Sequence, residues 1–148
     1  MNPVTETLLA NNILLTAIMA WFVAQAIKIL LELLRSKKLK LGLLMSSGGM
    51  PSSHSSTTTS AAVAIGLYQG FDTPLFALSA VLAMVVMYDA AGVRRSAGRQ
   101  AEVINRLLDS IDNIGIKLDK KLKEALGHSP VEVFAGGILG IVIAVIMN

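Results

Sequence analysis

Long apolar segments constrain this chain more than any other feature of its sequence. A helix needs roughly 20 apolar residues to cross a bilayer. Of the 148 residues, 53% are hydrophobic and 16% are charged, whereas soluble domains carry about 25% charged residues. The sequence predicts an all-α integral membrane helical bundle, formed by a single domain over residues 1–148. About four transmembrane helices are expected, from Ile13 to Leu34, Ser55 to Gln69, Pro74 to Ala91 and Val131 to Met147.

The basic residues fall into three clusters whose positions predict the topology. One cluster follows the first segment, one follows the third and one precedes the fourth. With four spans, all three clusters lie on the same side, which the positive-inside rule makes cytoplasmic, with both termini outside. No Lys or Arg precedes Lys28, so the first segment lacks the basic start of a signal peptide and is expected to be a retained anchor. The expected location is a bacterial inner membrane.

The connection between the third and fourth segments carries a helical pattern. Apolar residues recur at helical spacing from Ala97 to Leu108, with polar residues between them. This predicts a short amphipathic helix along the cytoplasmic membrane surface, with a substrate lid as the alternative. A second short helix is expected around Leu118 to Leu126.

The only two histidines stand at the polar ends of the second and fourth apolar segments. A histidine titrates near neutral pH and serves as nucleophile, acid or base. Lys28 and Arg35 are two helical turns apart, so they share one face of the first helix. Two cations on one face repel each other unless an anion lies between them, and a phosphoryl group satisfies this arrangement. The candidate catalytic residues are His128, His54 and Glu132, and the candidate phosphate-binding residues are Lys28, Arg35, Ser52, Ser53, Arg94 and Arg95.

Structural interpretations of the same residues stand beside the functional ones. Ser129 to Glu132 is also a capping box with proline at the first helical position. Lys28 could extend to the membrane interface, and Asp89 could pair with Arg94 or Arg95. Gly136, Gly137 and Gly140 are expected to allow close helix packing.

Three short motifs occur in order along the chain. Lys28 is followed by Arg35 after six residues, Pro51 to His54 reads Pro-Ser-Ser-His, and His128 precedes Glu132 by four. This set resembles the type 2 phosphatidic acid phosphatase superfamily, related to vanadium-dependent haloperoxidases, and in particular its short bacterial and plastid branch. The family pattern has proline at Ser36, glycine at Ser53, aspartate at Glu132 and arginine at Leu122. Arg94, at the end of the third helix, is the preferred substitute for that arginine.

The resemblance implies a lipid-phosphate phosphatase that needs no metal or other cofactor. In that scheme His128 forms a phosphohistidine, His54 protonates the leaving alkoxide, and Glu132 orients His128. Lys28, Arg35, Ser53 and Arg94 bind phosphate oxygens. The expected partners are a membrane and a lipid phosphate, without nucleic acid. A homo-oligomer packed through the Gly136/Gly140 face is expected, because four helices form a thin bundle.

Two other functions are open at this point. One is a non-catalytic membrane protein that binds anionic lipid headgroups or assembles partners. The other is a phosphoryl or headgroup transferase that uses the same phosphohistidine chemistry.

Overall fold

The computed structural model describes residues 2–37, 48–112, 122 and 127–148. Within these ranges every regular element is an α-helix, which confirms the predicted all-α class. The second connector helix, expected around Leu118 to Leu126, lies outside the described residues except for Leu122. The helices are α1 (Pro3–Leu9), α2 (Asn12–Ser36), α3 (Ser53–Gln69), α4 (Pro74–Ala91), α5 (Val93–Asp112) and α6 (Pro130–Met147).

Polar caps set the starts of the helices that form the bundle. The side chains of Asn11, Ser52, Thr73 and Ser129 each accept a hydrogen bond from the backbone N–H three residues ahead, as N-cap residues do. The apolar segments predicted from the sequence therefore correspond to α2, α3, α4 and α6 within two residues at each end. Two elements differ from the prediction. α1 was not expected, and α5 begins at Val93 instead of Ala97 because the helical chain resumes directly after Gly92.

Three helical stretches of the described chain are long and apolar enough to cross a membrane. They are α2, residues 74–110 (which join α4 to most of α5), and α6. α3 is the exception among the four predicted spans, because it has 17 residues and its first half is rich in Ser and Thr. α3 packs against α2, α4 and α6. Its neighbours therefore shelter the polar face that lipid would not accept.

Small residues form the interior of the bundle, and large apolar residues cover its outside. Among the described residues, the buried apolar side chains are alanines and Val133. Phe22, Leu78 and Ile146 are exposed. This inverted pattern is typical of helices that pack against one another within lipid, where close approach of backbones replaces the hydrophobic effect.

Glycines of α6 allow a close contact between α3 and α6. A Cβ at Gly136 would overlap the Ser52 carbonyl oxygen, and one at Gly140 would lie 2.5 Å from the Ser56 carbonyl oxygen. The prediction that these glycines allow close packing is confirmed. The prediction that the Gly136/Gly140 face forms a homo-oligomer contact is wrong, because α3 of the same chain fills that face. The homo-oligomer itself stays a prediction.

Candidate functional site

Four parts of the fold contribute residues to the candidate site. They are the C-terminal half of α2, the start of α3, the junction of α4 and α5, and the start of α6 with the residues before it. Lys28 acts electrostatically on both histidines, and Glu132 contacts His128 directly. The structure therefore brings together residues that are separated by up to 104 positions in the sequence.

His128 is held rigidly in the interior. Its side chain is 1% exposed, and its backbone N–H donates a hydrogen bond to the Ala90 carbonyl at 2.9 Å. Gly127 has a φ of +87°, and a Cβ there would lie 2.6 Å from the carbonyl carbon of Arg94. Only glycine accepts both this conformation and this approach. The residue before the histidine therefore fixes it against the α4–α5 junction.

The two ring nitrogens of His128 have different surroundings. Nδ1 lies 3.3 Å from the Glu132 carboxylate, whereas Nε2 is buried and has no hydrogen-bond partner within the described structure. Burial lowers the pKa of His128 and outweighs both Glu132 and the Gly49 backbone, which raise it, so the imidazole is neutral at pH 7. A proton on Nδ1 facing the carboxylate leaves the lone pair on Nε2 available.

The Glu132 carboxylate both caps the start of α6 and contacts His128. Its Oε2 accepts a hydrogen bond from the Ser129 backbone N–H at 2.9 Å, and its own N–H donates to Ser129 Oγ at 3.4 Å. The capping box is therefore present, and the same carboxylate oxygen faces His128. The Glu132 carbonyl also accepts the Ser52 N–H at 3.0 Å, which joins the starts of α6 and α3.

His54 lies in the first turn of α3, opposite His128. The centroids of the two rings are 6.0 Å apart, and the ring planes meet at 65°. His54 Nδ1 is also buried without a hydrogen-bond partner in the described part of the chain. Ser52 and Ser53 are buried beside it. Ser52 Oγ accepts hydrogen bonds from both the N–H and the hydroxyl of Ser55, so this side chain mainly caps α3.

A cavity of about 440 Å³ opens beside Glu132. Lys28 is 3% exposed, and its stem runs past Gly49, where an added Cβ would lie 3.3 Å from Lys28 Cγ. The predicted face with Lys28 and Arg35 is confirmed, because both line this cavity. Its wall consists of Lys28, Leu31, Glu32, Arg35, Gly49, Met50 and Glu132.

Among the charged residues of the cavity wall, Glu32 is the one that the sequence analysis did not select. It follows Lys28 by four positions, and this spacing places both on the same helix face. Together with Glu132 it gives the cavity two carboxylates beside two basic side chains. The four-residue spacing from Lys28 could have identified Glu32 from the sequence. However, an isolated Glu near the end of an apolar segment is also typical of an ordinary helix end.

Arg94 and Arg95 occupy the first turn of α5, and not the end of the third transmembrane helix as expected. Arg94 Nε donates to Asp89 Oδ2 at 2.7 Å, which confirms the predicted ion pair. The charge of Arg94 also acts on His54. The Arg95 side chain is exposed, and the Arg95 backbone packs against Gly127. No cluster of three or more His, Asp or Glu side chains within the described ranges could hold a metal ion.

Comparison with known proteins gives one family and one relative. A family model described as the divergent PAP2 family matches residues 9–143, which include every candidate site residue. The chain is 42% identical to YuiD, an uncharacterized membrane protein of Bacillus subtilis strain 168, over 151 aligned positions. This alignment covers 95% of the chain and 96% of the relative. No solved structure matches the chain.

Proposed function

Because this chain belongs to the divergent PAP2 family, as its three motifs predicted, we propose that it hydrolyses a phosphate monoester or diphosphate of a membrane lipid. One observation carries the proposal. The buried, neutral His128 has Nδ1 against a carboxylate and an unpartnered Nε2 beside a second histidine. An oriented imidazole with one free nitrogen is the arrangement that nucleophilic catalysis requires.

The two histidines divide the chemistry into two steps. His128 Nε2 attacks phosphorus and a P–N bond forms. The bond to the lipid alkoxide breaks as His54, protonated before the step, donates its proton to the leaving oxygen and becomes neutral. Water then attacks the phosphohistidine as His54 removes its proton, and the P–N bond breaks to release inorganic phosphate. Glu132 keeps the proton of His128 on Nδ1 and stabilises the positive charge that develops on the ring.

We propose that the lipid phosphate binds in the cavity, which neither histidine lines but which Glu132 connects to His128. Lys28 and Arg35 provide positive charge for phosphate oxygens. Leu31 and Met50 add an apolar wall beside these cations. This combination fits a charged headgroup whose lipid tail remains in the bilayer.

Arg94 is the proposed replacement for the guanidinium that the family carries at Leu122. It lies on the His54 side of the site, where the leaving oxygen would depart. Ser53 and Ser52 are proposed to assist binding of phosphate oxygens at the start of α3, where backbone N–H groups favour anions. Lys28, Arg35 and Arg94 all act at the end of the bundle that carries the site, so we assign this end to the cytoplasmic face of a bacterial inner membrane.

The decisive experiment is phosphate release from a panel of lipid phosphates in detergent with a metal chelator. The panel contains phosphatidic acid, phosphatidylglycerol phosphate and a polyprenyl phosphate. Wild type is compared with His128→Ala, His54→Ala and Gln69→Ala, the last at the opposite end of the bundle. We expect both histidine variants to lose at least about 10³-fold in rate and Gln69→Ala to retain activity.

Acid-labile, base-stable labelling with radioactive lipid phosphate tests the phosphohistidine directly. We expect label on wild type and on His54→Ala, and none on His128→Ala. Absence of phosphate release from every lipid, or equal release by all four proteins, would refute the proposal.

A second candidate function is headgroup binding without hydrolysis. The Arg94–Asp89 ion pair favours it, because a guanidinium that is already paired offers less stabilisation to a transition state. In that case wild type and His128→Ala would bind phosphatidic acid vesicles equally and release no phosphate. Transfer to an alcohol acceptor in the same assay would instead indicate a transferase.

A further inference from the structure

Asn105 binds the backbone of Leu122 at two points. The Asn105 amide nitrogen donates to the Leu122 carbonyl at 2.8 Å, and the Leu122 N–H donates to Asn105 Oδ1 at 2.8 Å. Asn105 is 3% exposed, so its own end of both hydrogen bonds is shielded from water. The carboxamide thus acts like a neighbouring peptide unit and clamps the chain to α5.

A second attachment lies five to six residues further along the same chain, at Gly127 and His128. Gly127 packs on the backbone of Arg94 and Arg95, and the His128 N–H donates to the Ala90 carbonyl. The α4–α5 unit therefore holds the chain both at Leu122 and at the residue that carries the proposed nucleophile. The Leu122 side chain is exposed, so the backbone of this residue, and not its side chain, makes the attachment.

The chemistry of the clamp makes it specific for asparagine. A carboxamide offers one donor and one acceptor in a fixed geometry, which matches the C=O and N–H of a single residue. Aspartate has nearly the same shape, but it would place a second acceptor against the Leu122 carbonyl. A buried polar group that loses its partner is costly, so the clamp would open.

We propose that Asn105 is a positioning residue for His128, acting through the backbone of Leu122 and the α4–α5 junction. The catalytic consequence rests on the phosphatase function proposed above. Opening the clamp displaces His128 relative to the cavity, while the cavity walls on α2, α6 and Gly49 stay in place. A displacement of 1 Å at a reacting group costs about 10²-fold in rate. We therefore expect kcat to fall by about 10-fold to 100-fold with little change in KM.

Two variants each remove one of the two hydrogen bonds between Asn105 and the Leu122 backbone. Asn105→Asp removes the donor to the Leu122 carbonyl, and Leu122→Pro removes the N–H that Asn105 accepts. Leu122→Ala is the matched control, because it keeps both backbone hydrogen bonds. Gln100→Ala is a control on an exposed position of α5. The measurements are kcat and KM for phosphate release, with circular dichroism to establish that each variant is folded.

A second readout does not depend on activity. The chain has two histidines, so ring resonances in NMR titrations can be assigned with a His54→Gln variant. Burial keeps the pKa of His128 low, and Lys28 from α2 lowers it further, while Glu132 from α6 and the Gly49 backbone raise it. His54 from α3 faces the same ring. If the clamp holds His128 in its buried seat, opening it hydrates the ring and moves its pKa up towards the usual value near 6.5.

The outcomes separate the two proposals. A lower kcat and a raised His128 pKa in Asn105→Asp and Leu122→Pro, with Leu122→Ala and Gln100→Ala like wild type, would support the positioning role. Unchanged kcat and titration in both clamp variants would overturn it, as would equal losses in Leu122→Ala and Leu122→Pro. If wild type releases no phosphate, the phosphatase proposal fails, and the His128 titration still decides whether Asn105 positions the ring.

Discussion

Adding one methyl group at Gly136 is expected to destabilise the bundle far more than adding one at Gly137. A Cβ at Gly136 would overlap the Ser52 carbonyl oxygen and lie 3.0 Å from Ser55 Cβ. Both belong to the first turn of α3 or its cap and cannot move alone. At Gly137 the nearest atom is Met87 Cε at 3.3 Å, the far end of a flexible side chain.

The magnitudes follow from opposing terms. Replacing a helical glycine with alanine favours the helix by about 0.5–1 kcal/mol. At Gly136 two costs outweigh this gain. Overpacking costs about 1–3 kcal/mol. The methyl group also weakens the 3.0 Å hydrogen bond from Ser52 N to Glu132 O, which is worth about 0.5–1.5 kcal/mol. The net expectation is a loss of about 1–3 kcal/mol for Gly136→Ala. Gly137→Ala should be neutral or stabilising by less than about 1 kcal/mol.

Reversible unfolding in mixed micelles, followed by circular dichroism during a titration with a denaturing detergent, measures this difference. Gly136→Ala should also lower phosphatase activity, because the Ser52–Glu132 hydrogen bond joins the helix starts that carry the two histidines. Equal stability of the two variants would refute the packing argument. Greater stability of Gly136→Ala than of Gly137→Ala would refute it more strongly.

Three further outcomes are expected. Glu32→Gln should lower KM for a dianionic lipid phosphate about fivefold, since it removes roughly 1 kcal/mol of repulsion from the cavity; an unchanged or higher KM in steady-state kinetics would contradict this. The lowered pKa of His128 means that the unfolded chain takes up a proton below about pH 6.5 that the folded chain does not. The free energy of unfolding should therefore fall as pH drops through 6.5, and His128→Gln should flatten this dependence; equal slopes in denaturation series from pH 8 to 5 would count against it. Arg94→Ala should reduce kcat about 10²-fold, whereas Asp89→Asn, which releases the guanidinium, should raise kcat; the opposite order in phosphate release would exclude Arg94 as the substitute for the family arginine.

Local sequence signals were sufficient for most of the helices. Thr73 followed by Pro74 marks the start of α4, and Gly92 marks its end, so the predicted and observed bounds agree. The spacing of Lys28 and Arg35, and that of His128 and Glu132, is a property of single helices or their first turns. These pairs could be predicted for that reason.

Features that depend on contacts between distant segments could not be predicted. Nothing local to Gly136 shows that its partner is Ser52 of the same chain and not a second copy. Asn105 is one polar residue among many on an amphipathic helix, and its two hydrogen bonds reach Leu122, 17 positions further along the chain. Arg94 was predicted at the end of the third helix but lies in the first turn of α5. Gly92 separates the two helices by a single residue, and the sequence does not show that a new helix begins directly after it.

The serine and threonine face of α3 has a consequence for how the protein is made. This helix is too short and polar to enter a bilayer alone, although Thr57, Thr58 and Ser60 donate their hydroxyls to carbonyls of their own helix. Only a short turn, residues 70–73, separates it from the strongly apolar α4, so the translocon should receive the two as a helical hairpin. α6, which also packs against α3, leaves the ribosome later than any other described helix. The contact of Ser52 and Ser56 with Gly136 and Gly140 therefore forms only after α6 has been synthesised. Nascent chains that are halted before that point should be recognised by membrane quality-control proteases.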